Sequence, residues 1–310
     1  MSCLYLSPTA TQDKLQMSSD AYSPAIRAAL WMLGALLSFT AMAIAGRQLS
    51  TELTTFQILF FRSLVGLLVV AAVLHRSGWT QAKTRKFGTH LIRNVVHYGG
   101  QYGWFYGIAL IPLSEVFAIE FTVPIWTAIL ATIVLGERMN ALRAVAIALG
   151  FVGILVILRP GVASVSPGAL AVLGGTVGYA MSHVLTKRLS ATETPLTILF
   201  YMTVIQLPLG LLPALHGWVW PSAASWPWVC VIAVTSLSAH YCMTRAFKLA
   251  DASVVVPMDF LRLPLIAVVG FVFYGEALKI WVLVGAVIVF TATWLNLKSA
   301  RRVKTVRSQA

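Results

Sequence analysis

The chain has 310 residues, of which 58% are hydrophobic and 11% are charged, and its formal net charge is +13. An ordinary soluble domain carries roughly a quarter charged residues, so this composition excludes a soluble globular fold and predicts a polytopic membrane protein. The three cysteines lack metal-binding spacing, and the sequence contains no phosphate-binding loop or hydrolase motif. We therefore expect no metal, no cofactor and no enzymatic activity.

Apolar runs of roughly 20 residues, the length that crosses a bilayer, recur along the chain. Lipid offers the backbone no hydrogen-bond partner, so the predicted fold is an all-α membrane protein with ten transmembrane helices. A polar tail, residues 1–24, is predicted to be disordered and cytoplasmic, and residues 299–310 form a basic cytoplasmic tail. The predicted spans are Ala25–Ala45, Thr55–Leu74, Leu91–Ile111, Val116–Leu135, Leu142–Leu158, Gly168–Leu185, Leu196–Leu215, Trp226–Phe247, Ala252–Tyr274 and Ile280–Leu297.

The two halves of the chain repeat one another at an offset of 140 residues, which becomes 139 at the end of the repeat. Residues 25–160 and 161–298 are therefore predicted to be two five-helix repeats. Because five is odd, the second repeat enters the membrane from the opposite side, which makes the pair an inverted repeat. The matching positions are Leu33-Gly34 with Leu173-Gly174, Leu49-Ser50 with Leu189-Ser190, Ile58-Leu59-Phe60 with Ile198-Leu199-Phe200, Pro124 with Pro264, and Gly136-Glu137 with Gly275-Glu276.

The basic residues are distributed unevenly between the two sides of the membrane. If the N-terminus is cytoplasmic, only Arg47, Arg159 and Lys279 lie on the opposite side. This positive-inside pattern predicts that both termini are cytoplasmic, and it argues against nucleic-acid binding as the purpose of the charge. The cytoplasmic segments and helix ends hold Lys14, Arg27, Arg76, Lys83, Arg85, Lys86, Arg93, Arg138, Arg143, Lys187, Arg188, Arg245, Lys248, Lys298, Arg301, Arg302, Lys304 and Arg307.

Several short stretches in both halves follow a family pattern. They are Phe60-Phe61-Arg62, Ala109-Leu110 through Pro124 to Leu135-Gly136-Glu137-Arg138, Gly150-x-x-Gly153 with Leu158-Arg159-Pro160, Ala246 through Pro257, and Tyr274-Gly275-Glu276. Over about residues 28–298 the chain resembles the EamA-type family of the drug/metabolite transporter superfamily. The resemblance implies a ten-helix inner-membrane transporter of small organic solutes. Within the family, the pattern is most similar to members that move S-adenosylmethionine-like compounds or riboflavin, and an amino-acid or drug exporter stays open.

The two halves differ in the charges that they place inside the membrane. Met202 stands at the repeat position of Arg62, and neither Asp259 nor Arg262 has a charged counterpart in the first half. A site between the halves is therefore expected to be asymmetric.

Four charged residues lie well inside the predicted spans, where a charge is costly and indicates function: Arg62, Glu120, Asp259 and Arg262. Asp259 and Arg262 share a helix face, so they form either a self-neutralising pair or part of a central substrate cavity. Glu120 is either a proton-coupling carboxylate, with Asp259 as a second candidate, or the ion-pair partner of Arg62. Arg62 would equally suit a carboxylate or phosphate of a substrate.

The third predicted helix is the most polar and aromatic span. His97, Gln101 and Trp104 fall on one of its faces and are predicted to line the cavity, and Tyr102 is a further candidate for stacking on a flat substrate. For each of these residues taken alone, a purely structural role in packing stays open beside contact with a substrate.

Glycines at positions 99, 103 and 107 occupy another face of the third helix. Gly99, Gly103 and Gly107 are predicted to let a neighbouring helix approach closely. His183 and His240 are predicted to be hydrogen-bonded core residues.

The ends of the repeats carry prolines and glutamates. Pro257 and Pro264 are expected to break the ninth predicted helix, whereas Glu137 and Glu276 are interpreted as interfacial and structural. The expected partners are a small-molecule substrate and the lipid bilayer, with a homodimer left open. The functional prediction is a secondary transporter working by alternating access, and the alternative from another class is a lipid flippase or scramblase.

Overall fold

The computed structural model describes residues 24–135, 139–161, 165–249 and 258–309, and this part of the chain is built from α-helices and a 3₁₀ helix at Trp79–Ala82. The all-α prediction is confirmed for these residues. The sequence stretches Gly136-Glu137-Arg138 and Ala252 through Pro257 lie outside them. The helices are α1 Pro24–Leu49, α2 Thr55–Ser77, α3 Phe87–Leu110, α4 Leu113–Glu120, α5 Val123–Leu135, α6 Ala141–Leu158, α7 Pro167–Ser190, α8 Pro195–Ala214, α9 Trp226–Leu249, α10 Arg262–Tyr274 and α11 Ile280–Gln309.

Within the described residues, seven helical segments are long and apolar enough to cross a membrane. They are Ile26–Leu49, Thr55–Ser77, Leu113–Val134, Ala141–Leu158, Pro167–Leu189, Pro195–Ala214 and Ile280–Ser299. The surface of the bundle carries large apolar side chains such as Ile133 and Phe273, each 73% exposed, whereas Gln57, Asn94 and Gln206 are completely buried. Apolar residues outside and polar residues inside suit a protein whose surroundings are lipid.

Two repeat-related helices begin with the same kind of cap. At the start of α2, the Thr54 hydroxyl accepts a hydrogen bond from the backbone N–H of Gln57 at 3.3 Å, and the Gln57 carboxamide oxygen accepts from the Thr54 N–H at 3.1 Å. At the start of α8, 140 residues later, the Thr194 hydroxyl accepts from the N–H of Thr197 at 3.1 Å. Both caps satisfy N–H groups that a helix leaves without partners, so both helices start at matching positions.

The fourth and ninth predicted spans are interrupted rather than continuous. Phe121 and Thr122 separate α4 from α5, and a turn that includes Phe260 precedes α10. Pro124 and Pro264 explain both interruptions, because a proline cannot donate a hydrogen bond to the carbonyl four residues earlier. Those carbonyls belong to Glu120, the last residue of α4, and to Phe260, within the turn before α10. The predicted span Val116–Leu135 therefore corresponds to the apolar helical segment Leu113–Val134, which a two-residue turn interrupts, and the break near Pro264 is confirmed.

The helices pack in antiparallel pairs that combine the two halves of the chain: α1 with α9, α2 with α8, α3 with α7, and α6 with α11. The repeat relates α1 to α7, α2 to α8, α3 to α9 and α6 to α11. Replacing each helix by its counterpart gives the same set of pairs. The contacts that establish the directions are Gly34 to Cys242 and Ser38 to Ser238, Phe60 to Gly210 and Arg62 to Gln206, Gly103 to Ala171 and Gly107 to Gly168, and Gly153 to Val289 and Ile157 to Gly285.

Small residues allow α3 and α7 to approach each other closely. A Cβ atom at Gly103 would lie 2.1 Å from the carbonyl oxygen of Ala171, and one at Gly107 would lie 2.1 Å from a methyl group of Val172. The packing prediction is confirmed at these two positions and wrong at Gly99, where a Cβ would meet nothing within 4 Å. Positions four apart drift around a helix by about 40° per step, so the contact face runs instead through residue 100.

Candidate functional site

A buried hydrogen-bond network joins α2 and α3 of the first half to α8 and α9 of the second. The Arg62 guanidinium donates to the hydroxyl of Ser236 at 2.8 Å and to the carboxamide oxygen of Gln206 at 3.0 Å. Gln206 in turn bonds to Nδ1 of His97 at 2.9 Å and donates to the backbone carbonyl of Asn94 at 3.3 Å. Each side chain of the network is therefore held by partners from the other half of the chain.

Arg93 extends this network. Its guanidinium donates to Oδ1 of Asn94 at 2.6 Å and to the Thr186 hydroxyl of α7 at 3.2 Å, and its side chain is only 6% exposed. Sequence reasoning counted Arg93 with the cytoplasmic helix ends, and the structure shows that its side chain turns into the bundle. Helical spacing could have found it, because Arg93 lies four residues before His97 and shares its inward face. We call Arg62, Arg93, Asn94, His97, Gln206 and Ser236 the arginine cluster.

The partners of Arg62 and Arg93 are all neutral. In residues 24–135, 139–161, 165–249 and 258–309, no carboxylate oxygen lies within 4.0 Å of either guanidinium. The alternative in which Arg62 pairs with Glu120 is therefore wrong, because Glu120 pairs with a different arginine.

That arginine is Arg262, which lies at the start of α10. Its Nη2 is 3.2 Å from Oε1 of Glu120 and 2.9 Å from Oδ2 of Asp259. The other Glu120 oxygen accepts a hydrogen bond of 2.7 Å from the indole N–H of Trp104. The predicted Asp259–Arg262 contact is confirmed, but the pair is not self-neutralising, since two carboxylates share one guanidinium. We call Trp104, Glu120, Asp259 and Arg262 the carboxylate cluster.

Aromatic rings enclose the cation of the carboxylate cluster. The Cζ atom of Arg262 lies 4.5 Å from the ring centre of Phe39 and 5.0 Å from that of Phe117. Such contacts stabilise a guanidinium that has lost its water. Phe260 stacks on Phe121 with ring centres 4.2 Å apart, which adds flat apolar surface beside the charges.

A chain of ring contacts connects the two clusters. The His240 ring lies 5.9 Å from the rings of both His97 and Phe39, and Cζ of Arg262 lies 4.5 Å from the Phe39 ring centre, while Tyr179 of α7 packs beside His97 at 5.6 Å. The two clusters therefore belong to one polar layer inside the bundle, with two arginines that contact only neutral hydrogen-bond partners at one end and one arginine shared by two carboxylates at the other.

The structure separates the candidates of the third predicted helix into two groups. His97, Gln101 and Trp104 are each at most 3% exposed and point into the bundle. Tyr102 lies elsewhere, in a groove of about 360 Å³ between α2 and α3, where its ring is 4.6 Å from Phe56 and stacks at 5.9 Å on Tyr106.

The other two histidines inside predicted spans, His240 and His183, differ in their surroundings. The His240 ring is half-buried and lies 5.9 Å from the rings of both His97 and Phe39. His183 is exposed on α7, so the prediction of a core position is wrong for it. Across the described segments, no group of three potential metal ligands lies close enough together to hold an ion.

Charged groups at the end of α1, in the first turn of α4 and after α10 connect the two halves. Arg47 lies 3.0 Å from Oε1 of Glu276, and the other Glu276 oxygen accepts a 2.8 Å hydrogen bond from the backbone N–H of Leu113. Lys279 pairs with Glu115 at 3.1 Å. This bonding fits the structural role predicted for Glu276, because the carboxylate caps the start of α4 and neutralises a cation.

Known proteins resemble the chain over almost its full length. It is 25% identical over 284 residues to an S-adenosylmethionine uptake transporter of Rickettsia prowazekii, covering 92% of this chain and 97% of the relative. It is 29% identical over 283 residues to a riboflavin transporter of Rhizobium johnstonii, covering 90% and 94%. The pseudopaline exporter CntI of Pseudomonas aeruginosa is 26% identical over 267 residues, covering 84% and 93%.

A crystal structure of a protein that is 18% identical superimposes with a TM-score of 0.62, covering 89% of this chain and 98% of that one, which shows the shared fold. The profile of the EamA-like transporter family matches the chain twice, over residues 26–159 and 166–298. The family predicted from the sequence is confirmed, and with it a multi-pass membrane transporter in place of an enzyme. The chain belongs to the EamA-like transporter family.

Proposed function

We propose that the protein is a secondary transporter that carries a small organic metabolite across the inner membrane by alternating access. The observation that supports it most directly is the polar layer at the seam of the two halves, where Arg62 contacts Gln206 and Glu120 contacts Arg262. Polar groups inside a membrane bundle mark solute or ion pathways. Because each contact joins the first half to the second, a relative movement of the halves would remake the site.

The proposed architecture is ten membrane spans in two inverted five-helix bundles, with both termini cytoplasmic. In this arrangement α4 and α5 together form one span, and α10 completes another. The antiparallel packing of α2 on α8 and of α6 on α11 supports it, because these are repeat-equivalent helices and inversion makes equivalent helices run in opposite directions.

The proposed substrate is an S-adenosylmethionine-like compound or riboflavin, following the names of two relatives. Both compounds contain a flat heteroaromatic ring, and the stacked rings of Phe121 and Phe260, which follow Glu120 and Asp259 in the chain, offer surfaces for such a ring. His97 and Gln101 complete the proposed lining. Tyr102 would contact substrate only through the groove between α2 and α3.

Export is the second candidate direction, and the name of the pseudopaline exporter favours it. An amino-acid or drug exporter would use the same buried layer. A lipid flippase or scramblase, the candidate from another class, would need a lateral opening rather than an enclosed polar layer.

The experiment is transport by the purified protein in proteoliposomes, with labelled S-adenosylmethionine and riboflavin as solutes and a fluorescent phospholipid in the same vesicles. We expect saturable accumulation of one of the two solutes above that of protein-free vesicles. Lipid translocation without solute accumulation would contradict the proposal and favour the flippase.

Proton coupling is proposed for Glu120, with Asp259 as the second candidate. A proton on Glu120 would leave Arg262 paired with Asp259 alone and so weaken the contact between the first half and the second during the transport cycle. The variant Glu120→Gln is expected to flatten the pH dependence of uptake while the protein still folds. Glu115→Gln is the matched control, because Glu115 pairs with the exposed Lys279 outside the layer. A pH dependence that matches the wild type in Glu120→Gln would remove Glu120 from coupling.

A further inference from the structure

The arginine cluster carries positive charge that no acidic residue of the described chain offsets. Arg262 has Glu120 and Asp259 beside it, and Arg47 has Glu276. Arg62 and Arg93, which are 4% and 6% exposed, contact only hydroxyl and amide groups. A buried cation is costly unless an anion accompanies it, so the cluster lacks the partner that its charge requires.

Hydrogen-bond donors in the cluster also remain unused. Nε of Arg62 and Nδ2 of Asn94 are buried, and neither has a hydrogen-bond partner among residues 24–135, 139–161, 165–249 and 258–309. Since Oδ1 of Asn94 already accepts from Arg93, the unused Nδ2 lies beside that guanidinium. Unused donors next to two guanidinium groups form the pattern that a carboxylate or phosphate satisfies, because an ionised oxyanion accepts several short hydrogen bonds at once.

We propose that Arg62 and Arg93 form a subsite for an anionic group of the transported metabolite, a carboxylate or a phosphate, with Asn94 donating a further hydrogen bond. The inference rests on the proposed transport function and adds to it the chemical class of the substrate. It also orients the substrate: its anionic group lies in the arginine cluster, and the rest of it extends past His240 and Phe39 towards Glu120 and Asp259, whose two negative charges favour a cationic group.

The first test compares ligands that differ only in the anionic group. The pairs are S-adenosylmethionine with its decarboxylated form, and flavin mononucleotide with riboflavin, each titrated onto the purified wild-type protein while binding and thermal stability are recorded. In at least one pair the anionic member is expected to bind about tenfold tighter or more, the effect of a charge-assisted hydrogen bond. Equal behaviour within both pairs, including no binding by any member, would overturn the proposal.

The second test uses Arg62→Gln and Arg93→Gln. Each variant is expected to lose the preference for the anionic ligand. Neither should lower the melting temperature of the ligand-free protein, because each removes a buried cation that lacks an anion. Arg76→Gln is the matched control, since Arg76 is exposed at the end of the same helix as Arg62. An unchanged preference in both variants, or a lower melting temperature together with the wild-type preference, would overturn the subsite and indicate a structural role.

A third variant tests the subsite if the glutamine variants do not fold. Arg62→Lys keeps the charge but not the two-pronged donor, so we expect part of the preference to remain; the full wild-type preference would count against the subsite. Failure of the transport proposal would look different: proteoliposomes would move lipid and no solute, whereas the ligand preference of the purified protein is measured without transport.

Discussion

Replacing Arg262 with Gln is expected to destabilise the protein by about 3–5 kcal/mol, the usual cost of removing one partner of a buried ion pair. Arg262 is 3% exposed and is the cation that Glu120 and Asp259 share. Without it, two carboxylates remain close together inside the bundle with no positive charge between them. The measurement is the melting temperature and the monodisperse fraction of the detergent-purified variant.

Two further variants isolate the cause. Neutralising the whole cluster, with Glu120→Gln and Asp259→Asn added to Arg262→Gln, should recover most of the lost stability, because the uncompensated carboxylates are gone. Lys279→Gln, which breaks an ion pair whose lysine is 59% exposed, should cost about 1 kcal/mol or less. A fully stable Arg262→Gln variant would show that the cluster does not depend on its cation.

Replacing Gly103 with Ala is expected to cost about 2–3 kcal/mol, although alanine is normally the better helix former. The added methyl group would lie 2.1 Å from the carbonyl oxygen of Ala171, so α3 and α7 must move apart. This contact joins the two halves of the chain, and the loss should appear as a lower melting temperature.

Gly99→Ala is the matched control on the same helix, one turn away. A Cβ there meets nothing within 4 Å, so the substitution should be neutral or stabilise the protein by up to about 1 kcal/mol. Equal effects of Gly99→Ala and Gly103→Ala would mean that α3 and α7 do not pack as closely as the structure has them.

Local signals predicted much of the fold. The cap at Thr54 and its counterpart at Thr194 start α2 and α8 at matching positions, and both are readable from short sequence windows. The interruption of the fourth span was also readable, since Pro124 blocks the carbonyl of Glu120, but the apolar run around it favoured one continuous helix.

Contacts between the halves could not be predicted in the same way. The sequence offered Arg62 as the ion-pair partner of Glu120 and Asp259 as that of Arg262, whereas the packing of α4 against α10 brings Arg262 to both carboxylates. Arg93 was missed for a different reason: basic residues near a helix end normally reach the membrane interface, and this one turns inwards to Asn94. The partner of Glu120 and the inward direction of Arg93 both depend on how helices distant in sequence align against each other.

The central claim is that the two halves insert in opposite directions, with the solute path between them. The most direct test measures on which side of the membrane two repeat-equivalent positions lie. Single cysteines are placed at Thr51 and at Ala191, 140 residues later. The background is a protein whose native Cys3, Cys230 and Cys242 are replaced by serine. An impermeant maleimide added to intact cells should label the cysteine at position 51 and leave the one at 191 unlabelled until the membrane is opened. Labelling of both from the same side would contradict the inverted arrangement.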